Sequence, residues 1–140
     1  MISPTVVALI GFISWALALL ILMETIRSKM VLLREVAPNG FMPDNANLSP
    51  FMQRLARAHA NCVEGLPIFG GLMIVAVAID KTAITDGLAY VFLGARVIQS
   101  IIHLASLSAV AVTLRFTAFS VQMFIAAVWA YALMMAALVA

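Results

Sequence analysis

Residues 54–69, RLARAHANCVEGLPIF, set polar side chains directly before an apolar run that continues to Ile79. At 100° per residue, four long polar side chains of this stretch share an arc of about 80° on one side of a helix. They are Arg54, Arg57, Asn61 and Glu64. Ser49 and Pro50, just upstream, make a sound N-cap and first-turn pair. The sequence therefore predicts a helix over 49–79 with one polar stripe along its first half.

The composition places this helix in a membrane. Of the 140 residues, 65% are hydrophobic and 10% charged, and the mean hydropathy is +1.13. A soluble domain has about 45–50% apolar and about 25% charged residues. The charges divide the chain into four stretches able to cross a hydrocarbon core of about 30 Å. We predict a single all-α domain over residues 1–140, an integral membrane four-helix bundle with spans at about 4–33, 49–79, 87–108 and 115–139.

Two features concern the ends and the interior of these helices. The first apolar stretch has no Lys or Arg before it and no small-residue cleavage pattern after it, so we expect it to stay attached rather than act as a signal peptide. Pro67 should bend the second helix, because proline removes a backbone hydrogen bond.

The positive charges predict the topology. Five of the eight Lys and Arg residues flank the loop at about 35–48, the next loop has only Lys81, and Arg115 lies on the same side as the five. The positive-inside rule then places the first and third loops in the cytoplasm and both termini outside. We expect a bacterial inner membrane, because the chain is short, has no evident basic retrieval tail and carries a bacterial-looking form of residues 54–69.

A second polar stripe occupies the third span. Arg96, Gln99, His103 and Ser106 repeat the offsets of the first stripe. A charge at the bilayer centre costs at least about 2.5–3.5 kcal/mol, so both stripes should face the bundle interior or a subunit interface.

These stripes have two interpretations. They could be structural, since interhelical polar contacts contribute about 0.6 kcal/mol on average. Alternatively they form a site, whose excess of guanidinium groups suits a carboxylate ligand. Nucleic acid is excluded because the basic residues are too dispersed for a phosphate-binding face. Neither histidine has a Cys or His four residues on, so no metal site is predicted, and Cys62 has no partner for an internal disulfide.

The sequence from Arg54 to Phe69 closely resembles the second-helix signature of the MAPEG family, the membrane-associated proteins in eicosanoid and glutathione metabolism. The matching elements are an Arg, an Asn four residues later, a Glu three residues after that, and Pro-x-Phe. The resemblance extends to the long first loop with its prolines and to Ala95-Arg96-Val97 in the third span. It implies a four-helix protomer assembled as a homotrimer, with glutathione bound as cosubstrate between neighbouring subunits near the cytoplasmic face.

The resemblance also assigns residues. Arg57, Asn61 and Glu64 correspond to the family's glutathione-binding residues, and Arg115 to the arginine that activates the thiol. Arg27 or Arg34, at the end of the first helix, would supply a further carboxylate contact. With the other members of the two stripes, the candidate glutathione-binding residues are Arg57, Asn61, Glu64, Arg54, Arg96, Gln99, His103, Arg34 and Arg27, and the candidate catalytic residue is Arg115.

Three functions follow, in order of preference. The first is a glutathione-dependent membrane transferase or peroxidase, whose bound thiolate attacks a lipophilic electrophile or hydroperoxide arriving from the lipid. The second is a non-catalytic MAPEG-like protein that scaffolds or modulates a partner. It is favoured by missing tyrosines, because Gln99 and His103 stand where eicosanoid-forming members have tyrosines or histidine, and Phe119 stands where they have a tyrosine. The third is a small transporter or channel subunit, which charged residues in membrane spans permit.

Overall fold

A computed structural model describes residues 1–139, which form an all-helical protein with four helices long and apolar enough to span a membrane. The α-helices are α1 (Pro4–Leu32), α2 (Pro50–Gly65), α3 (Gly71–Ala78), α4 (Ala83–Ala105) and α5 (Ala109–Val139). A π-helical turn, Leu66–Gly70, joins α2 to α3, so that Pro50–Ala78 is one continuous span. The all-α architecture predicted from the sequence is confirmed.

The last two spans begin earlier than the sequence interpretation places them. α4 starts at Ala83 rather than at 87, and it ends at Ala105, so that Ser106 has extended backbone and does not extend the polar stripe. α5 starts at Ala109 rather than at 115, because Ser108 caps it by accepting a hydrogen bond from the backbone N–H of Ala111 at 3.2 Å. Arg115 therefore lies inside α5 and not before it.

At Pro67 the regular α-helix is replaced by the π-helical turn. Proline has no N–H to bond the carbonyl of Val63 and crowds that carbonyl. The backbone N–H of Leu66 bonds the carbonyls of both Cys62 and Val63, which satisfies the group that Pro67 leaves without a donor. The helix can therefore continue through the proline within a membrane, where an unbonded carbonyl is costly.

Polar contacts tie the helix ends together. At one end of the bundle, Asp86 in the first turn of α4 accepts hydrogen bonds from the side chain of Ser3, and from the backbone and hydroxyl of Thr5 at 3.0 and 2.7 Å. At the other end, buried Asn45 accepts from the guanidinium of Arg27 and donates to the carbonyl of Met52 at 2.8 Å. Arg27 thereby fixes the first loop between α1 and α2.

α4 is the central helix, and α1, α2 and α5 pack against it. An aromatic cluster fills the middle of the bundle, where Phe92 of α4 meets Phe12, Phe69 and Trp129 at ring-centroid distances of 5.6, 5.2 and 5.7 Å. The outward side chains are long and apolar, among them Ile10, Leu17, Ile21, Phe124 and Leu138. A surface of this kind is stable in contact with lipid or with another apolar protein surface, but not with water.

Candidate functional site

A groove lies between α2 and α5, with α4 as its floor. It consists of three connected recesses that share Asn61 as a lining residue. The residues of the groove used below are Arg57, Asn61, Glu64, Phe69, Gln99, His103, Arg115, Phe119 and Met123. Part of each predicted stripe therefore lies on one surface of the protomer: Arg57, Asn61 and Glu64 of the first, and Gln99 and His103 of the second.

The polar end of the groove brings five predicted site residues together. A recess of about 330 Å³ is lined by Arg57, Asn61 and Glu64 from α2, His103 from α4 and Arg115 from α5. Arg57 and Glu64 are exposed, and they form no ion pair with one another within residues 1–139. Two guanidinium groups and one carboxylate thus face the opening with a positive excess, which suits a ligand that carries more carboxylates than ammonium groups.

A second recess of about 190 Å³ continues this site towards the bundle. Arg115 lines both recesses, and here it is accompanied by Asn61 and Gln99 and by the apolar side chains of Phe116 and Phe119. A group bound in this recess would lie close to a guanidinium and against aromatic side chains. The positive charge of Arg115 would favour an anionic group there.

The third recess, of about 360 Å³, is predominantly apolar. Its walls are Ile68, Phe69, Phe119, Met123 and Ala126, and Glu64 stands at its edge. It runs beside the π-helical turn, on the part of the surface whose other side chains are apolar. An apolar molecule can therefore reach the polar end of the groove from the lipid.

The amide of Asn61 presents donors to the groove. Its Oδ1 accepts a hydrogen bond from Nη1 of Arg96 at 3.4 Å. Because a guanidinium has no acceptor, it must face the oxygen of Asn61 rather than the nitrogen. The amide nitrogen is then free to donate to a ligand.

Arg96 lies behind the groove rather than in it. Its side chain is 1% exposed, and its Cζ lies 5.2 Å and 5.4 Å from the ring centroids of Phe12 and Phe69. Its Nε and Nη2 have no hydrogen-bond partner within residues 1–139. A side chain at Gly65 would approach Nη2 to 2.8 Å, so the absence of one there makes room for the guanidinium. The structure gives Arg96 a place in the protein core, beneath the predicted ligand contacts.

Three other predicted site residues, Arg54, Arg27 and Arg34, lie outside the groove. The Nε of Arg54 donates to the carbonyl of Leu104 at 2.9 Å and so bonds the end of α4. Arg27 holds the first loop, and Arg34 is exposed beyond α1 with a φ of 57°. None of these three lines the groove recesses described above.

Sequence interpretation missed Gln122, which is fully buried and bonds Gln99 from α5. A signal for it was present, because Gln122 follows Arg115 by seven residues, a spacing that puts both on one face of a helix. Sequence interpretation named Phe69 within the motif and Phe119 as a departure from the family, but it did not predict that both line the groove, because periodicity does not distinguish them from other apolar residues of the spans.

The fold and the groove define a class: a four-helix integral membrane protein with an amphiphilic groove, cationic at one end and apolar at the other. The MAPEG family model matches residues 5–135, so the chain belongs to the MAPEG family, as the second-helix motif predicted. No significant match was found among curated proteins or among solved structures.

The packing of Arg96 generates the first prediction. Replacing Gly65 with alanine should displace the guanidinium from the aromatic rings and cost about 1–3 kcal/mol of stability, as overpacking typically does. The matched control is Gly71→Ala, because an added side chain there meets nothing within 4 Å. Thermal unfolding in detergent, followed by circular dichroism, should show a lower midpoint for Gly65→Ala only. Equal midpoints for the two variants would contradict the described position of Arg96.

Proposed function

We propose that this protein is a glutathione-dependent membrane transferase or peroxidase that acts on a lipophilic electrophile or hydroperoxide. The observation that carries the proposal is the convergence of Arg57, Asn61, Glu64, His103 and Arg115 on one recess that continues into an apolar one. Membership of the MAPEG family supports it, because glutathione transferases and peroxidases are among the members.

The polar groups of the groove match those of glutathione, which has two carboxylates, one ammonium group and two peptide units. Arg57 is proposed to bind a carboxylate, since a guanidinium and a carboxylate form two parallel hydrogen bonds. Glu64 would accept from the ammonium group, and the free amide nitrogen of Asn61 would donate to a peptide carbonyl. His103, whose Nε2 has no hydrogen-bond partner within residues 1–139, is a further contact.

Arg115 is proposed as the residue that activates the thiol. A guanidinium beside the sulfur stabilises the thiolate, and each unit by which the thiol pKa falls corresponds to about 1.36 kcal/mol. The position of Arg115 in both the polar recess and the aromatic-lined recess supports this role, because a thiol held in either recess lies beside the guanidinium. The thiolate then serves as the nucleophile without a general base.

The apolar recess is proposed to bind the electrophile. Apart from Asn61 and Glu64, its lining is apolar, with Ile68, Phe69, Phe119, Met123 and Ala126, so selection there rests mainly on apolar area. A substrate dissolved in the lipid would enter along this part of the groove and meet the sulfur near Phe119, which lines both this recess and that of Arg115.

Glutathione titration of the purified protein in detergent tests the proposal. Thiolate absorbance in the ultraviolet should rise and saturate at neutral pH in the wild type. Arg115→Ala should lower the thiolate fraction more than the affinity, because the guanidinium acts on the sulfur. Arg57→Ala and Glu64→Ala should weaken binding about tenfold or more, since each leaves a charged group of the ligand unpaired.

The control is Lys81→Ala, which removes a positive charge in the turn before α4, away from the groove. It should titrate like the wild type. Absence of binding up to millimolar glutathione would refute the proposal, as would equal titration curves for Lys81→Ala and Arg115→Ala.

A second candidate function is a non-catalytic MAPEG protein that scaffolds or modulates a membrane partner. It is favoured by Gln99, His103 and Phe119, which stand where the eicosanoid-forming members have tyrosines or histidine. As a result, no hydroxyl group lines the three recesses of the groove. The same titration separates the two functions, because the second requires no thiolate.

We also propose that the protomers form a homotrimer in which a neighbouring subunit covers the groove. The groove is open at the protomer surface, and exposed Arg34 lines none of its recesses, so a contact of Arg34 with the ligand is proposed to come from a neighbouring chain. Light scattering in detergent should give a protein mass three times the 15.0 kDa of the chain. A monomeric mass together with intact glutathione binding would refute the trimer.

The orientation proposed is that of the positive-inside rule, in a bacterial inner membrane, with the first and third loops in the cytoplasm. Cys62 is buried, so a cysteine introduced in the first loop by Asn39→Cys would give the labelling signal. A membrane-impermeant maleimide should label it in inverted vesicles and leave it unlabelled in intact spheroplasts. The opposite pattern would reverse the assigned topology.

A further inference from the structure

Gln99 and Gln122 form a buried pair at the bottom of the groove. Gln99 on α4 is 4% exposed and Gln122 on α5 is fully buried. Nε2 of Gln122 donates to Oε1 of Gln99 at 2.9 Å and to the backbone carbonyl of Ala118 at 3.0 Å. Gln99, but not Gln122, lines the recess that Arg115 also lines.

The carbonyl of Ala118 fixes the orientation of both amides. A backbone carbonyl can only accept, so the atom of Gln122 that faces it must be the amide nitrogen. The atom of Gln99 that faces the same nitrogen must then be an oxygen. The amide nitrogen of Gln99 has no hydrogen-bond partner within residues 1–139, and its two N–H groups are left for whatever occupies the recess.

We propose that Gln122 is a positioning residue that holds Gln99 as a hydrogen-bond donor, and that this donor selects electrophiles whose reacting end bears an oxygen that gains negative charge. The proposal rests on the proposed function, because it requires a thiolate near Arg115. It goes further by naming the chemical class of substrate and two residues that distinguish that class.

An α,β-unsaturated ketone illustrates the step. The thiolate sulfur forms a bond to the β-carbon, the electron pair of the C=C bond moves towards the carbonyl, and the oxygen becomes an enolate oxyanion. A solvent proton then adds to the α-carbon and gives a neutral thioether, with no net oxidation. Donors fixed in advance at such an oxygen stabilise the charge as it develops.

The test compares two electrophiles with the same phenyl group. Benzylideneacetone develops an oxyanion, whereas benzyl chloride loses chloride and has no oxygen. The quantity measured is the ratio of kcat/KM for the ketone to kcat/KM for the chloride. Rates are divided by the concentration of thiolate-bearing sites, which ultraviolet absorbance supplies, so a partly unfolded sample does not change the ratio.

Three substitutions should lower the ratio. Gln99→Met removes the donor and should lower it on the order of 100-fold, the effect of losing one oxyanion donor. Gln122→Met frees the Gln99 amide to rotate and should lower the ratio about tenfold. The double variant, Gln99→Met with Gln122→Met, should have a ratio no lower than that of Gln99→Met alone, because the two residues act as one unit. Gln99→Glu retains an acceptor for Gln122 but presents oxygen to the recess, so it tests the orientation even if Gln122→Met does not fold.

The control is Gln53→Met, a glutamine that bonds the carbonyls of Ala46 and Leu48 outside the groove. It should leave the ratio at the wild-type value. The inference is overturned by any of three results: an equal loss for both electrophiles in Gln122→Met, an unchanged ratio in Gln99→Glu, or a changed ratio in Gln53→Met. In each case, thiolate formation in the wild type leaves the proposed function intact. A wild type that forms no thiolate overturns both.

Discussion

The packing of one buried guanidinium constrains the rest of the bundle. Arg96 has no carboxylate partner within residues 1–139 and lies against the faces of Phe12 and Phe69. A charge within a membrane helix costs at least about 2.5–3.5 kcal/mol, and a desolvated aromatic face returns about 2 kcal/mol, so the two faces offset a large part of that cost. The arrangement brings residues of α1, α4 and the π-helical turn together, requires Gly65, and turns the oxygen of Asn61 towards Arg96.

The groove combines two environments that rarely lie side by side. Its polar end is rich in hydrogen-bond donors, because buried groups take up the amide oxygens of Asn61 and Gln99. Its other end is a wall of aliphatic and aromatic side chains open to the lipid. The proposed reaction between a water-soluble anion and a lipid-soluble molecule requires two such environments next to each other.

Much of this arrangement could be predicted from the sequence. The spacing of Arg57, Asn61 and Glu64 fixes them on one helix face whatever the tertiary structure, and the apolar stretches fix four spans. The place of Arg96 could not be predicted, because a stripe position is compatible with the groove and with the core alike. The position of Arg115 was misjudged because a charge was taken as a span boundary, although Ser108 before it is a common helix cap. A contact between two helices, such as that of Gln99 with Gln122, leaves no pattern in the sequence around either residue that identifies the other.

The π-helical turn at Pro67 divides the second span into two halves with different roles. The residues after Glu64 are apolar as far as Ile79, so the polar stripe of Arg57, Asn61 and Glu64 ends at the turn. The half beyond Gly70 buries Met73 and Ala76 in the bundle. A single helix thus serves as the wall of a binding site near one membrane surface and as an ordinary core element near the other.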